Sequence, residues 1–233
     1  MATDTSNAVP PARRAAEGAA PYHRPMTRYA STEREALAAL LLAVGPDEPT
    51  LCTGWRTRDL AAHLVVRERH PLAASGVLVR PLAGYAERVR LREAARPYPE
   101  VVADLRRAPW WSPVSNPLTD PLFNTLEFFI HHEDVRRGRP GWQPRALDAG
   151  MQKYLFRRVG QIARLALRRL RVGASLHSPG YGETRVGDDP QVRLTGEPGE
   201  LVLFLSGRQR AARVQVDGPA APAERLRTAR LGF

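Results

Sequence analysis

The hydrophobic period of this chain changes once, near Gly173, and that change limits the fold more than any other feature. Before it, apolar residues recur at helical spacing. Leu37, Leu40, Leu41 and Val44 fall at i, i+3, i+4 and i+7. After it, short alternating pieces are divided by Gly, Pro and Asp turns and read as strands. The expected fold class is mainly α: a helical bundle over residues 26–172, then a small α+β domain over 173–233. Helices are expected at 27–44, 57–69, 87–94, 99–107, 122–137 and 146–171. A looser stretch covers 76–85, and prolines make 109–121 a loop. Thr57 is the expected cap of the second helix, with Asp59 in its first turn, where the helix dipole favours a negative charge. Strands are expected at 174–177, 183–186, 191–195 and 212–216, and short helices at 199–205 and 222–229. No internal repeat is visible.

Composition narrows the setting. Residues 1–25 are rich in Ala, Pro and small polar residues, lack the apolar core of a secretory signal, and are expected to be a disordered tail. No apolar run approaches the about 18 residues of a membrane helix. Cys52 is the one cysteine, which excludes an internal disulfide and any cysteine-rich zinc site. A cytoplasmic location is the default expectation. The net charge of +11 suggests nucleic acid at first sight. However, of the 35 basic residues only Lys153 is lysine, and Ala and Pro are also abundant. A GC-rich genome produces that bias whatever the function. No zinc-finger spacing or RNP-like aromatic motif accompanies it, so neither a nucleic acid nor a membrane is an expected partner. On the 146–171 helix, Arg157, Arg164, Arg168 and Arg171 line one stripe opposite Leu155, Val159, Ile162, Ala166 and Leu170. The expected reading is a solvated face behind a core face, with an anion-binding flank as the alternative.

Two helices carry the candidate chemistry. On 57–69, Leu60, His63, Leu64 and Arg67 share a face, which turns His63 toward the core. On 122–137, Asn124, Glu127, His131 and Asp134 form one stripe, and Leu126, Phe128, Phe129 and Ile130 make the surroundings apolar. A buried carboxylate without a partner is costly, so Glu127 and His131 either pair with each other and an Arg or bind a cation. Two histidines and one carboxylate leave a coordination position open, as in catalytic zinc sites. The expected ligands of a divalent ion, zinc first, are therefore His63, Glu127 and His131. Asp134 is placed to orient a ligating imidazole through its second nitrogen, while His132 projects elsewhere. Cys52, close before a helix start, reads as a small filler, with a reactive thiol as the alternative. No nucleophile elbow and no phosphate-binding glycine loop is present.

The segments Cys52-Thr-Gly-Trp55-Arg-Thr-Arg-Asp59-Leu60-Ala-Ala-His63-Leu64 and Asn124-Thr-Leu-Glu127-Phe-Phe-Ile-His131-His132-Glu-Asp134 resemble the DinB-like metal-binding superfamily. The branch they resemble is named for the N-terminal domain of mycothiol-dependent maleylpyruvate isomerase. The resemblance covers about residues 27–170. More weakly, GEPGELVLFLSGR at 196–208 resembles the sterol-carrier-like C-terminal domain of the same proteins. The resemblance implies an antiparallel four-helix bundle whose ligands match His63, Glu127 and His131, usually holding zinc. It also implies activation of a low-molecular-weight thiol such as mycothiol, for isomerisation or S-transfer on an electrophilic small molecule. A non-catalytic metal-binding sensor or partner-binding protein, or a metal-dependent hydrolase, would use the same ligands. The substrate and oligomeric state are left open.

Overall fold

The computed structural model describes residues 27–74, 80–107, 109, 120–168 and 170–232. The expected tail, residues 76–79 of the looser stretch and most of the proline-rich loop lie outside these residues; the rest of that stretch, 80–85, is helical rather than loose. Among the described residues are nine α-helices and one four-stranded sheet. The helices are α1 (Thr27–Val44), α2 (Thr57–Arg69), α3 (Pro71–Ala74), α4 (Ala83–Ala94), α5 (Tyr98–Arg106), α6 (Asp120–Arg136), α7 (Ala149–Leu167), α8 (Pro198–Leu205) and α9 (Ala220–Thr228). The strands are β1 (Gly173–Ser178), β2 (Gly182–Val186), β3 (Pro190–Thr195) and β4 (Gln215–Asp217). The chain is thus mostly helical, with its sheet confined to the C-terminal part. No helix among the described residues is long and apolar enough to cross a membrane.

Several boundaries differ from the expected ones for local chemical reasons. Arg56, not Thr57, is the cap residue of α2; Asp59 accepts its backbone N–H at 3.0 Å. Thr57 instead donates its hydroxyl to the Gly45 carbonyl, which ties the start of α2 to the end of α1. Helix α7 starts three residues later than expected, because Asp148 caps it by accepting the Met151 N–H at 2.9 Å. The last strand is displaced from 212–216 to Gln215–Asp217. Side chains claim the backbone just before it: Arg137 donates to the Ala211 carbonyl and the Arg213 N–H donates to Glu200. Those groups are unavailable to a ladder.

The sheet order is β2-β1-β3-β4, with β1 parallel to β3 and the outer pairs antiparallel. Gly187 has φ +86° and packs against Gly173, where a side chain would strike the Gly173 Cα. The turn into β3 therefore needs glycine twice over.

Two large apolar clusters form most of the interior among the described residues, and α6 belongs to both; a small third one joins Val66, Ala73 and Val89. Phe128 and Val135 join Leu37, Leu41, Leu60, Leu64, Val101 and Leu105, from α1, α2 and α5. Phe129 and Ile130 join Leu155, Val159 and Ile162 of α7, Leu176 and Leu194 of the sheet, and Leu201 and Leu203 of α8. The apolar face of α7 is thus buried with the sheet and α8, while Arg157, Arg164, Arg168 and Arg171 are exposed. The change of texture at Gly173 does not coincide with the division between clusters, which falls along α6.

A helix buried on so many sides must pair its charges. Glu133 bonds Arg136, Arg137 and Arg145; Arg137 reaches on to Glu200 of α8; Arg145 bonds Glu33 of α1. His132 turns to this side of α6, with Nδ1 3.1 Å from Glu33. On the α2 side, Arg34 and Glu68 form a buried pair.

Candidate metal centre

Helical spacing brings Glu127, His131 and Asp134 onto one stripe of α6, opposite His63 of α2. His63 Nε2 lies 3.4 Å and His131 Nε2 3.3 Å from the same oxygen, Glu127 Oε1. One ligand atom from each of the three lies within 4.8 Å of the other two, so the group could hold a metal ion. The structure therefore brings His63, Glu127 and His131 together. Leu60 and Leu64 are fully buried, whereas His63 and Glu127 keep 22% and 28% of their side chains exposed. The group thus sits at the margin of the core with one side open to solvent. The imidazoles meet edge to face, with ring centroids 5.3 Å apart.

His131 is fixed from its other nitrogen. Nδ1 lies 2.8 Å from Oδ2 of Asp134, which is fully buried. Arg208, just beyond α8, donates from Nε to Asp134 Oδ1 at 2.8 Å and from Nη2 to Oδ2 at 2.6 Å. The Cys52 thiol donates to the same Oδ2 at 3.2 Å, with Arg208 Nη2 3.6 Å from its sulfur. Cys52 reaches this position because the loop before α2 lies against the end of α6. Leu51 N–H bonds the Asp134 carbonyl, and Gly138 leaves room for the Pro49 backbone, where any Cβ would collide.

Cys52, His131 and Asp134 form a second group of possible ligands, on the Nδ1 side of the same imidazole. Two of its three members already have a cation beside them. The Arg208 guanidinium bonds both oxygens of Asp134, and the short bond to His131 engages Oδ2 again.

The electrostatics follow from this arrangement. Burial lowers the His63 pKa, and the Glu127 hydrogen bond does not fully offset it, so His63 is neutral at physiological pH. Burial disfavours the charged form of His131 too. There the bonds to Asp134, Cys52 and Glu127 prevail and hold its pKa well above the ordinary histidine range. Burial would raise Glu127, but His131, His63 and the nearby Arg67 charge keep it well below the usual carboxylate range. Asp134 falls to about 2, because hydrogen bonds from His131 and Arg208 outweigh its burial.

Arg67 completes the site's edge, bonding the Asn124 side chain and lying 3.6 Å from Glu127 Oε1. Trp55 stands beside His63, ring centroids 5.1 Å apart. Periodicity alone did not point to Arg208, which enters from 74 residues away as one arginine among many. Cys52 and Trp55 belong to the segment before α2, yet nothing in their spacing reveals that they touch Asp134 and His63. Comparison with protein-family models, curated proteins and solved structures gives no match for this chain.

Proposed function

We propose that the chain binds one divalent metal ion, zinc first, through His63, Glu127 and His131, and uses it to activate a low-molecular-weight thiol. The observation that carries this reading is the separation of the donors. Two atoms bound tetrahedrally at about 2.0–2.1 Å lie about 3.3–3.4 Å apart. The distances from Glu127 Oε1 to the two histidine nitrogens are 3.4 and 3.3 Å, long for direct hydrogen bonds and fitting for ligands that share an ion. Two imidazoles and a carboxylate suit zinc, and the exposed side leaves a position for a sulfur ligand. A zinc ion so held favours the thiolate form of a bound thiol at neutral pH.

The chain's own residues would then divide the work. His63 presents a neutral nitrogen without first losing a proton. Asp134 holds the His131 ring so that Nε2 faces the ion. Glu127 supplies negative charge, partly balanced by Arg67. On this reading α1, α2, α5 and α6, which share one apolar cluster, are the antiparallel four-helix bundle of a DinB-like protein. The thiol would be mycothiol or a similar molecule, and the reaction an isomerisation or S-transfer on an electrophilic small molecule.

One observation favours a metal-free reading. A protonated His131 between Glu127 and Asp134, with Arg208 on Asp134, already compensates both carboxylates without an ion. In that case His63 contributes little. Metal analysis of the purified protein, with and without His63→Ala, separates the readings. Titration of the loaded protein with mycothiol tests the thiol: binding that depends on the metal is expected, and equal binding to metal-free protein would contradict it.

A further inference from the structure

The two histidines are held in different ways. His131 has the Asp134 carboxylate on its Nδ1. Nδ1 of His63 forms no hydrogen bond among the described residues, although a ligating histidine commonly needs a partner there to fix its ring. What stands against the His63 ring is an indole: the Trp55 centroid is 5.1 Å away and the planes are tilted by 49°. Trp55 is itself held. The Arg90 guanidinium lies 5.0 Å from its ring centroid, in cation–π range. Arg90 is buried and fixed by Asp59 at 2.6 Å and by Glu87 at 2.9 and 2.6 Å. Asp59 lies one turn before His63 on α2, and its other oxygen accepts the Arg56 N–H at the start of that helix. The aromatic wall and the histidine it supports are thus anchored to the same helix.

We propose that Trp55, braced by Arg90, is the positioning residue for His63: it sets the imidazole by ring contact where His131 is set by a carboxylate. The inference rests on the metal reading above. Removing the indole frees the His63 side chain, which is 22% exposed, to leave the site. Trp55 also packs against the edge of the core around Leu60 and Leu64, so the loss of preorganisation is read as a fall in metal affinity larger than any fall in metal-free stability. A benzyl side chain offers a smaller ring at the same place and restores part of the contact. Arg90→Gln weakens the brace without touching the histidine.

The test is cobalt(II) binding to the full chain, followed by the visible d–d spectrum. It compares wild type, Trp55→Leu, Trp55→Phe, Arg90→Gln and His63→Ala, with melting temperatures recorded without metal. Expected are a cobalt spectrum in wild type that is lost in His63→Ala, and affinity lowered about 10–100-fold in Trp55→Leu. Trp55→Phe should recover much of that loss, Arg90→Gln should fall between, and the Trp55→Leu spectrum should be altered at saturation. Should Trp55→Leu match wild type in affinity and spectrum while His63→Ala loses both, the positioning role is overturned and the metal reading stands. A wild type that binds no cobalt overturns the metal reading, and the inference with it. A drop in Trp55→Leu affinity matched by a large fall in its metal-free melting temperature, without rescue by Phe, assigns Trp55 to the fold and overturns the inference as well.

Discussion

Nδ1 of His131 and Oδ2 of Asp134 are 2.8 Å apart, and this contact decides which nitrogen of the imidazole faces Glu127. With Nδ1 committed to the carboxylate, Nε2 is the nitrogen left for an ion. Asp134→Asn keeps the shape but weakens the acceptor, and metal affinity should fall about 10–100-fold. Calorimetric zinc titration reads this directly; an unchanged affinity would show that the pair has no bearing on the site.

Arg208 carries the same argument into the C-terminal part of the chain. Two of its bonds go to Asp134, which has no exposed side-chain surface. Arg208→Gln leaves a buried carboxylate short of its cation, a change that costs about 3–5 kcal/mol in comparable buried pairs. Thermal unfolding should show a clear fall in stability, accompanied by weaker metal binding. Stability within the error of wild type would mean that solvent or Cys52 replaces the guanidinium at no cost.

His132 provides the contrast. It is adjacent to His131 in sequence but faces Glu33 and Arg145 on the far side of α6. His132→Ala should lower the melting temperature and leave one metal per chain. If metal content falls with His132→Ala and survives His131→Ala, the ligands have been misassigned.

The same network makes the fold acid-sensitive. Burial alone would raise the Glu33 pKa, but hydrogen bonds from His132 and Arg145 bring it below its ordinary value of 4.5. A carboxyl with a depressed folded pKa stabilises the fold at pH values above its unfolded pKa, and loses that contribution as pH falls through the folded one. Melting temperature should therefore decline below about pH 4.5, and more gently in Glu33→Gln. Parallel pH profiles for the two proteins would remove Glu33 from the account.

Much of the helical part was legible because its period is strong. Leu37 and Leu41, Leu60 and Leu64, and the stripe from Glu127 to Asp134 fall where helical spacing puts them. The strand at Gln215–Asp217 was not, because side chains of Arg137 and Glu200 claim the backbone before it, and alternation does not register such long-range competition. The sharing of α6 between two cores was hidden for a similar reason. Phe128 and Phe129 are both apolar in sequence, and only the packing sends them to different clusters. Arg208 reaches the site through tertiary approach, which no local pattern encodes.

The most direct test is the metal content of protein purified without added metal, measured by elemental analysis for wild type, His63→Ala, Glu127→Ala and His131→Ala. Wild type should carry about one equivalent of zinc per chain, and each variant, His63→Ala included, should lose most of it. A metal-free wild type that refuses added zinc, or a His63→Ala protein that keeps its full equivalent, would contradict the metal reading.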